Sequence, residues 1–322
     1  MQVQIHSHFV LKKQPVTARQ AIEMYHVNTV ERAVLENMMR FASETTPIET
    51  AEIIKKLAPE FTFFMHRLLE NNPPCGIAIS GLPVIADKTE RLHMSEKMSL
   101  AFSHLIGLPF QYLQQNNGKL VALISPREGF ENTHSGLGRQ QFGWHTDDCI
   151  FALEHRTQWI QLHGVVNDGN TETLFSLIDA IVEMLPFHTK NILMQARFEV
   201  KMPTSFGFRH QIWSHPVPLV WRNENDEYEV GVPTYHVRTI DQHDEEAHTA
   251  LKIFFDAIQA CRHSIIIQPD MLFIFNNNRL LHGRGTVIGE RIVLRTYIRR
   301  NLQALRAATD SEGSVFDARF LI

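Results

Sequence analysis

Cysteine is scarce in this chain, and its three cysteines, Cys75, Cys149 and Cys261, lie far apart. An odd number without a CxxC pair argues against a disulfide framework and against a structural zinc site. Long apolar runs are also missing, since none approaches the roughly 20 residues of a membrane-spanning helix. The first residues, MQVQIHSHFVLKKQ, lack the apolar segment of a signal peptide. The sequence therefore predicts a soluble, cytoplasmic protein with no membrane partner.

A large excess of charge is missing too. The formal net charge is -4, and charged residues make up 20% of the chain. Nothing in this balance indicates nucleic acid or an anionic membrane as a partner, so we expect a small-molecule substrate. The sequence shows no internal repeat, no low-complexity segment and no convincing linker. We therefore expect a single domain over residues 1–322 and leave a homodimer open.

Helical periodicity is clearest in the first part of the chain. Apolar residues recur at helical spacing over residues 17–43 and 49–71, which predicts two amphipathic helices in an N-terminal region of about 14–72. The turn signal NNPPCG follows. GIAISGLPVI is then typical of a short strand, and a further helix is expected near 89–106.

From about residue 118 the sequence pattern becomes rich in β-strand. The candidate strands are KLVALISP, FGWHTDDCIF, TQWIQLHGVV, ARFEVKM, VPLVWR, HSIIIQ, DMLFIFNN and RIVLRTYIRR. Two helices, FSLIDAIVEML and EEAHTALKIFFDAIQACR, interrupt them. Many strands with mostly flanking helices predict an α+β fold with a mainly β core, a sandwich or barrel over about 75–300.

Polar chemistry stands inside an apolar, aromatic run at residues 142–151, FGWHTDDCIF. His145 and Asp147 are two apart, so on a continuous strand both side chains leave the same face. An imidazole and a carboxylate can hold one face of a divalent metal, and a non-haem iron site needs one more histidine. The pattern alone is weak, because His243 and Glu245 fit it as well, in an acidic helix start. A hydrogen-bonded histidine on a half-buried strand is the alternative.

The segment 275–300, FNNNRLLHGRGTVIGERIVLRTYIRR, supplies a distant second histidine, His282. Arg291 and Arg295 are four apart and share a face if the segment is a strand. Inward-pointing arginines are costly unless each meets an anion, and a guanidinium matches a carboxylate through two parallel bonds. One arginine could anchor a diacid cosubstrate and the other a substrate carboxylate. The alternative is an edge strand with both arginines in solvent. The asparagines at 276–278 are expected to satisfy backbone groups at a strand end.

The HxD pair, the histidine of HGR and the following arginine together resemble the iron(II)/2-oxoglutarate-dependent oxygenases. Within them, the chain is similar to the clavaminate-synthase-like group, which includes free arginine, asparagine and lysine hydroxylases. The segments QQNNGKLVALISPREGFENTHSGLGRQQFGWHTDDCIF and VRTIDQHDEEAHTALKIFFDAI extend this similarity over roughly 75–300. The resemblance implies a double-stranded β-helix (jelly roll, cupin-like) with flanking helices, and iron(II), 2-oxoglutarate and dioxygen as cofactors.

The resemblance also implies roles for the metal and cosubstrate residues. His145, Asp147 and His282 would be the catalytic iron ligands. Arg291 would bind the C5 carboxylate of 2-oxoglutarate, and Thr173 would help to hold it. The group usually has Glu where this chain has Asp147, but other members of the superfamily use Asp, so we expect iron binding to persist.

Substrate-binding residues follow from the same resemblance. Arg295 would hold a substrate carboxylate, and either Gln114 or Gln115 would contact the amino-acid head. His236 and Arg238 fall where the arginine hydroxylases carry aspartates around the substrate guanidinium. A pocket with His and Arg should disfavour a cationic side chain and favour a neutral or acidic one.

The main hypothesis is therefore an iron(II)- and 2-oxoglutarate-dependent dioxygenase of specialised metabolism. It would hydroxylate an unactivated C–H bond of an amino acid or a derived small metabolite and convert 2-oxoglutarate to succinate. Desaturation, cyclisation or epimerisation would use the same ligands. Two alternatives belong to other classes: a non-catalytic carboxylate-metabolite sensor, and a zinc hydrolase with Asp148 as base. The complete triad with its arginine pair favours the oxygenase.

Overall fold

The computed structural model describes residues 22–41, 44–133 and 135–322. The strands in these residues are β1 (Ile22–His26), β2 (Gly76–Ser80), β3 (Leu108–Tyr112), β4 (Val121–Ile124), β5 (Phe142–His145), β6 (Trp159–Asn167), β7 (Glu172–Leu177), β8 (Phe198–Val200), β9 (Val220–Arg222), β10 (Tyr228–Val230), β11 (Val237–Thr239), β12 (His263–Ile266), β13 (Leu272–Asn276), β14 (Leu280–Arg284), β15 (Arg291–Arg299) and β16 (Val315–Phe316).

Helices flank these strands. The α-helices of the described residues are α1 (Thr29–Phe41), α2 (Pro47–Leu57), α3 (Pro59–His66), α4 (Lys88–Ile106), α5 (Ile178–Met184), α6 (Phe187–Leu193), α7 (Glu245–Ala260) and α8 (Gln303–Thr309). Short 3-10 helices lie at Arg67–Leu69, Asn116–Gly118, Leu153–His155, Thr204–Phe206 and Ala318–Phe320. None of the helices that the structure describes combines the length and the apolar character of a membrane span.

Two sheets form the core. The larger has the order β1-β2-β13-β6-β15-β3-β16, with β4 also paired to β15, and the smaller has the order β12-β7-β14-β5. Apolar side chains of both sheets pack into one cluster, with Phe175 and Leu280 from the smaller sheet and Phe273 and Val293 from the larger. Most pairings are antiparallel. This arrangement is the double-stranded β-helix that the sequence predicts, with helices outside.

Strand β6 shows how a helix covers the outer face of the larger sheet. All nine of its residues are buried. Ile160 belongs to the core between the sheets. Gln161 and His163 alternate with Ile160 and so lie on the outer face of β6. Gln161 Nε2 donates to the backbone oxygen of Ser99 on α4 at 2.8 Å, and His163 Nδ1 lies 2.9 Å from Ser99 Oγ. Burial lowers the pKa of His163 to about 4, so this histidine is a neutral core residue.

The first predicted helix, at 17–43, is wrong over part of its length. Ile22–His26 form β1, which pairs in parallel with β2 at the edge of the larger sheet. Residues 17–21 and 42–43 lie outside the described residues. Pairing with β2 overrides the local helical pattern, since strand formation depends on neighbours that periodicity does not report. Helix α1 begins after Asn28, whose Oδ1 accepts hydrogen bonds from backbone N–H groups of the first turn.

The second predicted helix, at 49–71, is two helices. Helix α2 has a capping box in which Thr46 and Glu49 bond each other's backbone N–H. Pro59 has no N–H to continue the helix, and it keeps Ala58 out of helical geometry, with φ of -128°. Helix α3 starts at that proline.

The β-strand predictions were mostly correct, and two of the omissions share a cause. The structure has a strand within every candidate segment. The strands that the sequence pattern did not reveal are β1, β3, β7, β10, β11, β14 and β16. Strands β7 and β14 are buried on both faces and so lack alternation. The predicted helix FSLIDAIVEML is accordingly a strand up to Leu177 and a helix from Ile178. The three cysteines are free, in agreement with their spacing, and the structure buries all three.

Candidate active site

His145, Asp147 and His282 converge at the smaller sheet. His145 ends β5 and lies directly opposite His282 of β14 in the register, with ring centroids 4.2 Å apart. Asp147 Oδ1 lies 3.4 Å from His145 Nε2 and 4.0 Å from His282 Nε2. One ligand atom from each of the three residues falls within 4.8 Å of the others.

These distances suit a common metal ion. Two donors bonded at about 2.1 Å to one ion lie roughly 3–4 Å apart, depending on the angle between the bonds. Two imidazoles and one carboxylate on one side of the ion are the donor set of non-haem iron(II) oxygenases. The three residues therefore fit the iron centre that the sequence predicts.

A turn, and not a strand, brings Asp147 to the two histidines. The structure ends β5 at His145, so the expectation that His145 and Asp147 share a strand face is wrong. The chain reverses through Asp148, which adopts a left-handed φ of 49°. Such a conformation is strained for most residues but tolerated by Asp, and it persists where surrounding contacts fix it.

Two buried side chains fix this turn. Asn277 Oδ1 accepts from the backbone N of Asp147 at 2.9 Å, and its Nδ2 donates to the Asp147 backbone oxygen at 3.0 Å. The Asp148 carboxylate accepts from Tyr112 Oη at 2.6 Å and from Thr157 N and Oγ1 at 2.9 and 2.7 Å. The expected role of the asparagines in satisfying backbone groups is confirmed for Asn277. Asp148 is buried and its Oδ2 accepts three of these bonds, so its carboxylate serves the turn, which disfavours it as the base of a hydrolase.

The second oxygen of Asp147 is held separately from the first. Oδ2 accepts from Arg295 Nη1 and from Tyr297 Oη, both at 2.8 Å. Oδ1 is thus left facing the two histidines. Tyr297 was not predicted as a site residue, although its position two residues after Arg295 on one strand was an available signal.

The electrostatics of the triad suit a cation. Burial favours the neutral form of Asp147, but Arg295 and the two histidines outweigh it and hold the pKa of Asp147 well below its usual range. Burial, followed by the adjacent His145, lowers the pKa of His282 to about 3. The site therefore offers an ionised carboxylate and a neutral imidazole, the protonation states that bind metal.

Arg291 and Arg295 both lie on the interior face of β15. This strand pairs with β6 on one side and with β3 and β4 on the other, so the edge-strand alternative is wrong. Val293 lies two residues from each arginine, on the same face of β15, and belongs to the core between the sheets.

The guanidinium of Arg291 has a donor to spare. Arg291 Nη2 donates to Thr173 Oγ1 at 3.2 Å, while its buried Nε has no partner among the described residues. Burial, with the charge of Arg284, lowers the pKa of Arg291 to about 9. A buried cation with an unused donor fits the carboxylate of a cosubstrate.

The two candidate glutamines point to different places. Gln115 Oε1 accepts from Arg295 Nη2 at 3.3 Å, next to the triad. Gln114 instead donates to Asp317 at 2.6 Å and accepts from the backbone of Ala318 at 2.9 Å. Of the pair, Gln115 is the one that the structure brings to the site.

His236 and Arg238 likewise lie in different surroundings, His236 near the triad and Arg238 away from it. Pro233, three residues before His236, forms an isolated β-bridge with His145. Burial, followed by the charges of Lys201 and His145, lowers the pKa of His236. Arg238 is 54% exposed and pairs with Glu199 at 2.7 Å, over the ring of Trp213. No contact within the described residues joins Arg238 to the triad.

Comparisons with known proteins agree with this geometry. A family profile described as "Taurine catabolism dioxygenase TauD, TfdA family" matches residues 77–297. The chain is 24% identical to enduracididine beta-hydroxylase of Streptomyces hygroscopicus over 279 residues, which cover 72% of this chain and 79% of that protein. It is 25% identical to L-asparagine oxygenase of Streptomyces coelicolor over 270 residues, which cover 77% of this chain and 78% of that protein.

A solved structure shows the same fold. Asparagine oxygenase in complex with Fe(II), 2S,3S-3-hydroxyasparagine and succinate superposes with a TM-score of 0.79 at 19% identity, covering 92% of this chain and 99% of that one. The family profile spans more than half of the 322 residues and includes all three residues of the triad. The resemblance seen in the sequence is therefore confirmed, and the chain belongs to the TauD/TfdA dioxygenase family of iron(II)- and 2-oxoglutarate-dependent oxygenases.

Proposed function

We propose that this enzyme hydroxylates an unactivated C–H bond of an amino acid, or of a small metabolite derived from one, while 2-oxoglutarate is decarboxylated to succinate. The observation that carries the proposal is the position of Arg295 and Gln115 beside Asp147. They offer a cation and an amide oxygen, which match the carboxylate and the ammonium of an amino-acid head. The likeness to an asparagine oxygenase and to an enduracididine hydroxylase supports this substrate class.

In this proposal the triad holds iron(II), and 2-oxoglutarate is bound by Arg291 and Thr173. Bound together with dioxygen, these cofactors supply the oxidising power that C–H hydroxylation needs. Asp147 keeps one oxygen free for the metal because Arg295 and Tyr297 hold the other. Neutral His282 presents its lone pair to the metal without first losing a proton.

The side-chain end of the substrate would meet the ribbon formed by β8 and β11. Alternation along the two strands puts Glu199, Lys201, His236 and Arg238 on one face, because Phe198 and Val200 are buried on the other. Glu199, the acidic member, is already paired with Arg238. This face therefore favours a neutral or acidic side chain over an ammonium or guanidinium group.

Three further parts of the proposal concern the whole protein. The chain acts as a single oxygenase domain over residues 1–322, it works in the cytoplasm, and a homodimer is compatible with this site. Sedimentation velocity would distinguish a monomer from a dimer.

The test is succinate formation by protein loaded anaerobically with iron(II), supplied with 2-oxoglutarate, exposed to air and offered each of the twenty amino acids singly. We expect one or a few amino acids with neutral or acidic side chains to stimulate succinate formation. Mass spectrometry should show that the product has gained one oxygen atom. The loss of two hydrogens would indicate desaturation or cyclisation, and an unchanged mass would indicate epimerisation.

Two results would count against the proposal. Stimulation by lysine or arginine would exclude the inferred side-chain preference. Binding of carboxylates without iron retention or turnover would favour the sensor on the same fold.

A further inference from the structure

A second arginine lies beside the one proposed to bind 2-oxoglutarate. Arg284 ends β14 and pairs directly with Thr173 of β7 in the antiparallel register. Thr173 is also the residue whose Oγ1 accepts from Arg291 Nη2 at 3.2 Å. Arg284 and Arg291, from different sheets, thus both lie beside Thr173, Arg284 as its cross-strand neighbour and Arg291 through its guanidinium, and both arginines are buried.

Neither arginine meets a counter-charge in the described part of the chain. Arg284 Nη2 donates to the backbone oxygen of Gln140 at 2.6 Å and Nε to that of Gly285 at 3.2 Å. Arg284 Nη1 and Arg291 Nε are buried, and no other described residue offers either of them a hydrogen-bond partner. Arg284 lies close enough to Arg291 for the two positive charges to repel each other.

Such a pair has a physical requirement. Arginine stays protonated in proteins, so two buried guanidinium groups repel each other unless an anion lies between them. A carboxylate has two oxygens that can accept from both cations at once.

We propose that Arg284 is a second anchor for 2-oxoglutarate, so that its distal carboxylate is shared between Arg284 and Arg291. This inference rests on the proposed function, which places that carboxylate at Arg291. It assigns to Arg284 a positive charge that destabilises the cosubstrate-free protein and is compensated only in the complex.

The proposal predicts opposite effects on stability and on binding. In Arg284→Gln, an amide can still donate to the backbone while the charge is gone. The unfolding temperature without 2-oxoglutarate should stay the same or rise, because a repulsion is removed. The affinity for 2-oxoglutarate should fall about tenfold or more, as expected for loss of a charge-assisted hydrogen bond. A merely structural arginine would instead lower the unfolding temperature and leave the affinity unchanged.

The experiment is thermal unfolding of the iron(II)-loaded protein under anaerobic conditions over a range of 2-oxoglutarate concentrations, since a ligand of the native state raises the unfolding temperature. Arg284→Lys keeps the charge but loses the forked donors, so its affinity should lie between those of the wild type and Arg284→Gln. The matched control is Arg262→Gln, an exposed arginine that pairs with Glu172 on the same strand as Thr173. It should bind 2-oxoglutarate as the wild type does.

The outcomes separate this inference from the proposed function. If 2-oxoglutarate stabilises the wild type and Arg284→Gln equally, the inference on Arg284 fails and the proposed function stands. An equal loss of affinity in Arg262→Gln would also overturn it, because the effect would then not depend on the buried pair. If 2-oxoglutarate does not stabilise even the wild type, the proposed function fails as well.

Discussion

Replacing Asn277 should weaken iron binding although Asn277 is not a ligand. Its amide group bonds both the N–H and the C=O of Asp147, at 2.9 and 3.0 Å, and also reaches the backbone oxygen of Thr157 at 3.3 Å. Asn277→Ala leaves these buried backbone groups without partners. The turn would then lose the bonds that hold the Asp147 main chain in position.

The magnitude follows from the number of bonds lost. Each buried polar group left unsatisfied costs about 1–3 kcal/mol, so the metal-free protein should lose roughly 2–5 kcal/mol of unfolding free energy. Loss of a group that orients a metal ligand typically lowers metal affinity by about 10–100-fold. Both effects are expected in Asn277→Ala.

The assay has two parts. Anaerobic competition with a chromophoric chelator gives the iron(II) affinity, and urea unfolding of the metal-free protein gives the stability. Asn276→Ala is the matched control, because among the described residues the side chain of Asn276 bonds only the backbone N–H of Asn278, at 2.9 Å. A variant Asn277→Ala that is destabilised but binds iron(II) as tightly as the wild type would refute a role in positioning Asp147.

The other predictions concern the core and the substrate head. Arg279→Ala should lose about 3–5 kcal/mol of unfolding free energy in urea, because the buried guanidinium ion-pairs with two carboxylates. The pKa of His163 falls to about 4 on folding, so its contribution to stability is present above pH ~6.5 and is lost as the pH falls from there towards 4. Urea unfolding should show a loss of up to about 3 kcal/mol over this window, and His163→Gln should lessen the loss. Gln115→Ala should raise the KM for the amino acid in succinate assays, whereas Gln114→Ala should not, because only Gln115 contacts Arg295.

The core fold could be predicted from the local patterns of its strands, whereas the grouping of His145, Asp147 and His282 was predicted from the resemblance of the HxD, HGR and arginine motifs to a known family. The apolar residues between Arg291 and Arg295 indicate a strand, and β15 is buried along nearly all of its length. The choice between an interior and an edge strand was not available from this pattern, because it depends on which strands pair with β15.

Other features depend on contacts between distant segments. β1 forms only because β2 lies beside it, and its own sequence continues a helical pattern. Asp147 reaches the metal site through a turn held by Asn277, which is 130 residues away. Arg284 and Arg291 come close together because both lie beside Thr173 of β7. Neither the hydrophobic periodicity of a segment nor the spacing of its residues indicates such long-range pairings.

The pocket predictions show the same limit at finer scale. Gln114 and Gln115 are equivalent in spacing, and only the packing of the C-terminal segment against Gln114 separates them. The guanidinium of Arg238 lies over Trp213 and pairs with Glu199, and the sequence pattern predicted neither contact. The alternation of a short strand predicts the face on which Arg238 lies, but not the residue with which Arg238 pairs.

The most direct test of the central claim compares succinate with hydroxylated amino acid in the same reaction, for the wild type, His282→Ala and His163→Gln. We predict that the wild type and His163→Gln each form succinate and hydroxylated product in equal amounts, and only in the presence of oxygen. His282→Ala should form neither. His163 is the fitting control because it is a buried histidine outside the triad. Succinate and product from His282→Ala at the wild-type rate, or none from the wild type with any amino acid, would contradict an amino-acid hydroxylase built on His145, Asp147 and His282.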